Sequence, residues 1–445
     1  MRKTTKVCAV AALAGGCVLA IAARADAANC NSYPHPVYIA GSSASKPILL
    51  ALAKQFAAAN PPVNISIIYE DPSSCQGLTD LLTAGKTESK DAAYLDGTAG
   101  TATACDPTNG VAGGPASYID IGVSDVFPQT CVDYSNIPAL TSGQKDWWGP
   151  VQAMVMAVQS GQTQYPAISA EAAYVVFGWS GQGGNTVAPW TNPQMMFIRS
   201  PTSGTESMIG KAIGLPPTKW LAQSPFDGGT PQQESNSQAV VTALTAATTD
   251  MMSGIGILST QYVDQNRSTI HALAFQAKDP NGGDQECGYL PDSKSTTFDK
   301  LNVRQGRYGI WGPLHFVTNV DSTGKPAPNS MSGTAAADVQ TVISYLNFDS
   351  SLTAAQNLAM IQASAAAYTV PPCAMEVTRM QDGGGVASTM PSGAMCGCYY
   401  EALTAGTSPT MLGTPTSSYC KTCTTDTDCT TGNYKKCNYG FCEVQ

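Results

Sequence analysis

Met196-Phe197-Ile198-Arg199-Ser200-Pro201-Thr202-Ser203-Gly204-Thr205-Glu206-Ser207 reads as an apolar strand that delivers an arginine and then breaks into Ser-Gly-Thr at the start of a helix. A guanidinium fork and a set of unpaired helix-start N–H groups, four residues apart, converge on one small space. Such a space suits a tetrahedral oxyanion.

Outward from this stretch, Val37 to Ala40 reads as a short strand, Gly41-Ser42-Ser43-Ala44-Ser45 as a tight loop, and Pro47 to Ala59 as a helix with Leu49, Leu52 and Phe56 on one face. Val63 to Tyr69 alternates as a second strand, and Pro72-Ser73-Ser74 opens a second helix. Strand, helix and strand in that order predict a parallel α/β sheet. Further strands are expected at Tyr118 to Asp125, Val151 to Val158, Met195 to Arg199, Gly254 to Leu258 and Gly309 to Val317, the last interrupted by Pro313. Helical patterns cover Ala170 to Phe177, Gln238 to Thr248 and Ala335 to Phe348. Residues 84 to 117 lack a period and read as a surface excursion; a Cys75–Cys105 bridge is one candidate pin, since pairing does not follow from spacing. Glu401 to Ser418, rich in Thr, Ser, Gly and Pro, reads as a linker before a Cys-rich tail.

Arg2, Lys3 and Lys6 precede an apolar run from Val7 to Ala23 that ends in Ala25-Asp26-Ala27, the pattern of a secretory signal peptide cut after Ala27. Its removal takes away four cations and one anion, so the net charge moves from -9 to -12. An acidic chain with no basic tract argues against nucleic acid and anionic membrane surfaces as partners. No later run of 18 apolar residues predicts membrane insertion. Of the 15 cysteines, Cys8 and Cys17 fall in the leader; an odd set then remains, which in an exported chain reads as disulfides with one thiol left over. Zinc is disfavoured for the tail because a single CxxC, Cys420 to Cys423, stands without a nearby histidine. His35, His271 and His315 have no paired spacing, Gly178-Trp179-Ser180-Gly181 is followed by Gln182 rather than glycine, and Gly204 to Lys211 does not make a P-loop. No cofactor, metal or catalytic signature is therefore expected.

Gly41-Ser42-Ser43-Ala44-Ser45-Lys46-Pro47, Gly122-Val123-Ser124-Asp125, Arg199-x3-Ser203-Gly204-Thr205 and Gly254-Ile255-Gly256-Ile257-Leu258, in this order, resemble the phosphate-binding subunit of bacterial phosphate ABC transporters, a type II periplasmic binding protein. The likeness runs from about residue 30 to 370. It implies an α/β, two-lobed periplasmic-binding-protein-like fold with a hinge where the chain crosses near Ala157 and Tyr308. The expected division is lobe 1 at 28–156 and 308–400, lobe 2 at 157–307, a linker at 401–419 and a small disulfide-rich module at 420–445. Carried over residue by residue, the phosphate ligands are Ser45, Lys46, Ser74, Asp125, Arg199, Ser203, Gly204 and Thr205. Three departures stand out: Lys46 replaces an aromatic, Pro201 replaces an acid that steadies the arginine, and Asp71 to Gly77 lacks paired glycines.

The resemblance implies a periplasmic or secreted, non-enzymatic phosphate-binding protein whose partners are the phosphate ion and an ABC permease. Two other readings stand beside it: an interaction or attachment protein that keeps the fold, has an altered or silent anion site and holds an unknown partner with its Cys-rich module, and a secreted phosphoryl hydrolase built on the same cleft.

Overall fold

Val37 and Ile39 face one apolar cluster while Tyr38 and Ala40 face another, so the first long strand is buried on both sides, as parallel strands covered by helices are. In the computed structural model the described residues are 27–84, 92–107, 118–223, 233–248, 250–278, 285–328, 334–389, 394–406 and 411–444. The expected signal peptide lies outside them apart from Ala27.

The chain begins with β1 (Ala28–Asn29), β2 (Pro36–Gly41), α1 (Lys46–Ala58), β3 (Ser66–Glu70), α2 (Ser74–Thr79), β4 (Ala93–Asp96), β5 (Thr101–Asp106), β6 (Ile121–Ser124) and α3 (Pro128–Ser135). A long strand β7 (Gln144–Gln159) leads to β8 (Ala167–Ser169), α4 (Ala170–Trp179), β9 (Met196–Phe197), α5 (Gly204–Ile213), α6 (Ser237–Ala246), β10 (Ile255–Ser259), α7 (Thr260–Gln265), β11 (Ile270–Ala272) and β12 (Ala274–Gln276). Then come α8 (Leu301–Arg304), β13 (Trp311–Asn319), α9 (Ala336–Leu346), α10 (Ala354–Ala366), the short pair β14 (Val377–Thr378) and β15 (Ala387–Ser388), α11 (Gly397–Ala405), and the terminal hairpin β16 (Tyr434–Asn438) and β17 (Phe441–Val444).

The order β1-β5-β4-β3-β2-β6-β13-β7-β10-β9, with β11 on β7, forms one sheet among the described residues. The β2, β3 and β6 strands are parallel, as the strand-helix-strand order predicts. The rest is mixed, because β13 and β7 run antiparallel to their neighbours. Pro313 does not end β13; the register shifts between Pro313 and His315, where the proline has no N–H to offer the ladder. Two stretches depart from the sequence reading. Within the supposed excursion, β4 and β5 extend the sheet as antiparallel strands, hidden from periodicity by their small Ala and Thr residues. The sequence reading assigned no element to Ala354–Ala366, which is the helix α10, although Thr353 and Gln356 form a capping box at its start.

Disulfides correct the pairing and the tail. Cys105 bonds Cys30 and Cys75 bonds Cys131, so the candidate Cys75–Cys105 bridge is not formed. Four more bridges follow, Cys373–Cys396, Cys398–Cys420, Cys423–Cys437 and Cys429–Cys442, and Cys287 is left as the exposed free thiol. Six bridges place the folded chain in an oxidising compartment. The sulfurs of Cys423, Cys429 and Cys442 lie within 4.8 Å of one another, but each is consumed in a bridge. No helix of the described residues is long and apolar enough to cross a membrane.

Glu401 is not in a linker. It lies on α11, fully buried, with Oε1 2.9 Å from the Arg304 Nη1, and its two oxygens also accept from the Ser417 N–H and hydroxyl at 2.9 Å. From the terminal hairpin, Glu443 accepts the N–H groups of Cys398 and Tyr399 at 3.0 Å, an anion at the start of α11. Burial pushes its pKa up to about 7. The Cys420–Cys398 bridge adds a covalent tie. The tail is therefore docked on the body through two buried carboxylates, and composition misread it because Thr, Ser and Pro were weighed without the charged residue that holds them. Glu401→Ala leaves the Arg304 cation buried without its partner, and an urea melt under non-reducing conditions is expected to lose about 3–5 kcal/mol. An unchanged midpoint would mean that the buried Arg304–Glu401 pair does not hold the fold.

Candidate functional site

The loop after β2 is set by close approach. A Cβ at Gly41 would lie 1.9 Å from the Val123 carbonyl oxygen, and at φ +152° only glycine is comfortable there. The Ser42 hydroxyl then accepts the Ala44 N–H at 3.1 Å, which turns Ser43 to Ser45 into the lead of α1. On the other side of the site, α5 starts against α2 and the end of β6: a Cβ at Gly204 would lie 2.3 Å from the Ser74 Oγ and 2.9 Å from the Asp125 Cβ. Ser74, Asp125 and Gly204, far apart in sequence, are thus in contact. The Ser74 Oγ donates to the Asp125 Oδ2 at 3.4 Å, and Ser74 also accepts the Asp125 N–H at 3.4 Å.

Arg199 is 2% exposed. Its Nη1 donates to the hydroxyls of Ser43 and Ser237 at 3.2 Å, its Nε to the Glu234 carbonyl at 3.0 Å and its Nη2 to the Ser235 carbonyl at 3.1 Å. The guanidinium therefore spans from the β2–α1 loop to the first turn of α6. The Ser43 and Ser237 hydroxyls lie 3.3 Å apart. The acid missing at Pro201 is not replaced at the guanidinium: Glu206 accepts the Arg199 backbone N–H at 3.1 Å, and two carbonyls orient the side chain instead.

Asp125 is 1% exposed, and its pKa is raised to about 6 by burial, drawn back by the Ser42 hydroxyl, the Arg199 charge and the Ser74 hydroxyl. Glu206 is driven well above the carboxylate range by burial. Burial also lowers the Arg199 pKa, against the pull of Asp125 and Glu206. Ser45, Ser203 and Thr205 are buried on the flanking turns, and among the described residues the Ser45 Oγ has no hydrogen-bond partner. Lys46 points elsewhere: its ammonium sits 3.6 Å from Asp71 at a half-exposed edge.

Ser42, Ser43 and Ser237 were not singled out by the sequence reading, although Asn236-Ser237 is a helix-start pair and its Asn236 side chain caps the Ala239 N–H. Contacts from two other elements, β7 and α7, hold the loop. Gln261 donates to the Ala44 carbonyl, as does Gln152 at 3.1 Å, and the Tyr262 hydroxyl donates to the Ser43 carbonyl at 3.2 Å. A polar Gln152 inside the apolar β7 was the available signal for this set. Across the other edge, Ser73 donates to the Thr202 Oγ1 at 2.9 Å and the Cys75 N–H to the Thr202 carbonyl at 3.1 Å. The arrangement gathers hydroxyls, helix-start N–H groups, one cation and one carboxyl on buried residues, a set of groups that suits a small anion.

No family model matches the chain, and no curated protein matches it. Among solved structures, a protein from Clostridium perfringens described as a phosphate ABC transporter substrate-binding protein, with bound phosphate, is 14% identical, with 76% of this chain and 99% of that chain covered at a TM-score of 0.42. An ABC-type phosphate transport receptor from Vibrio cholerae is 12% identical, with 76% and 100% covered and a TM-score of 0.39. The regulator OxyR from Corynebacterium glutamicum is 9% identical, with 77% and 68% covered and a TM-score of 0.36. At these values the chemistry of the site rests on this chain's own residues.

A carboxyl whose folded pKa is raised binds more protons folded than unfolded between about pH 4 and 6, so stability falls as pH rises through that window and stays lower above it. Asparagine does not ionise. Asp125→Asn is therefore expected to stabilise the anion-free protein at pH 7.5, by on the order of 3 kcal/mol at one pKa unit per 1.36 kcal/mol. Urea melts of both proteins should converge below pH 4; equal midpoints at pH 7.5 would remove the desolvated charge from Asp125.

Proposed function

We propose that the chain is an exported, non-enzymatic solute-binding protein that closes around inorganic phosphate, or a similar tetrahedral oxyanion, between its lobes and passes it to an ABC-type permease. The observation that carries this reading is the buried Arg199 fork, which reaches hydroxyls on the β2–α1 loop and on α6 beside the equally buried Asp125. A guanidinium and helix-start donors favour an anion, and the carboxyl accepts the proton that phosphate still carries near neutral pH. Sulfate has no such proton and meets a like charge in a desolvated space. The Ser43, Ser237 and Ser74 hydroxyls, which rotate to donate, complete a shell of small donors around those two charges. Docking of the tail on α11 removes the main support for a free-standing partner-holding module.

Calorimetric titration of the mature protein with phosphate tests the reading directly. Arg199→Lys keeps a charge but loses the planar fork; with charged hydrogen bonds worth about 1.5–3 kcal/mol each, the dissociation constant should rise tenfold or more. An unchanged titration curve removes Arg199 from the site. Asp125→Asn should admit sulfate more readily while changing phosphate binding less, and wild-type protein that already binds both anions equally contradicts the phosphate assignment.

A further inference from the structure

Away from the Arg199 cluster, a cavity of about 420 Å³ opens beside α7. Thr260, Val263 and Asp264 of α7 line it, with Arg267 one turn further on, the spacing of a single helical face. Gln261 and Tyr262 lie off that face and hold the carbonyls of Ala44 and Ser43. The opposite wall is Ala272, Ala274, Leu290 and Pro291.

We propose that this cavity binds a small, neutral, mainly apolar molecule of ring size with one hydrogen-bonding group, and that its occupancy is felt through α7 at the Ser42–Ser45 loop.

The size falls within the range of small-ligand sites, and the walls are of the apolar kind those sites use. The charges on the floor exclude an ion. Asp264 Oδ1 takes the Arg267 Nε at 3.0 Å and Oδ2 the Lys300 ammonium at 2.6 Å. Asp292 Oδ1 takes the Lys300 ammonium at 2.9 Å and Oδ2 the Arg267 Nη2 at 2.7 Å. Each carboxylate oxygen thus has a cationic donor, and a charged ligand would have to break a buried pair to find a partner. Lys294, at the rim, is exposed and keeps its hydration. Two polar groups on the inner wall are uncommitted among the described residues: the buried Thr260 hydroxyl has no partner, and the His271 side chain makes no hydrogen bond; burial lowers the His271 pKa, so near neutral pH it offers one donor and one acceptor. The coupling follows from shared rigid structure, since a molecule packed on Val263 braces the same short helix whose other residues fix the loop.

The experiment uses 5-fluoroindole as probe on the full mature chain, without phosphate, so its outcome is independent of the anion reading. Saturable ¹⁹F line broadening is expected in wild type. It should weaken at least tenfold in Ala272→Trp, which fills the cavity, and in Thr163→Trp, which blocks the rim from an exposed position where folding is not at stake. Saturating probe should slow hydrogen exchange at the Ser43 to Ser45 amides severalfold in wild type and not in Thr163→Trp. Absence of saturable broadening, or equal binding by Thr163→Trp, overturns the site; binding with unchanged exchange at those amides overturns the coupling.

Discussion

The antiparallel pairing of β7 is the constraint on which the rest of the molecule depends. Its first half pairs with β13 from Gln144 to Ala153, and its second half with β10 and β11 from Met154 to Gln159. One 16-residue strand thereby belongs to both halves of the sheet and fixes the distance between them. The β2–α1 loop arrives from one half and the Arg199 turn, α6 and α7 from the other, so every contact across the site is measured from this strand. Gln152, in its middle, bonds the Ala44 carbonyl directly.

Around that axis the site gathers groups that burial disfavours. Asp125, Glu206 and Arg199 are all nearly removed from water, and desolvation opposes the charge on each. Coulombic attraction between Arg199 and the two carboxyls offsets part of this, and the Ser42 and Ser74 hydroxyls offset a further part at Asp125, but the net shifts stay in the direction that burial sets. Two carboxyls with raised pKa values therefore mark a place where stability is given up for chemistry.

The C-terminal region obeys a different logic. Glu401 and Glu443 are buried to hold structure, one against Arg304 and one at the start of α11, and the bridges that flank them make that docking hard to reverse. The buried Lys300, Asp264, Asp292 and Arg267 network plays the same part beneath the α7 cavity, where its complete pairing leaves the apolar walls as the available surface.

Local sequence by itself determined the α/β class, the parallel β2, β3 and β6 strands, the oxidised cysteines, and the turn residues at Gly41 to Ser45 and Ser203 to Thr205, because periodicity, glycine and helix-start chemistry act within a few residues. It also marked Arg199 before its Ser-Gly-Thr turn, whereas Asp125 and Ser74 were singled out through the resemblance of ordered motifs. Tertiary structure alone decided that Ser43 and Ser237 meet the guanidinium, that the Lys46 ammonium turns to Asp71, that Glu206 takes the Arg199 backbone N–H, and that Cys105 finds Cys30. It also decided that Glu401 lies in a helix, because the Arg304 cation that makes its burial tolerable is supplied from 97 residues away. Such pairings depend on which distant groups a fold brings within about 3 Å, and that distance is written in no local pattern.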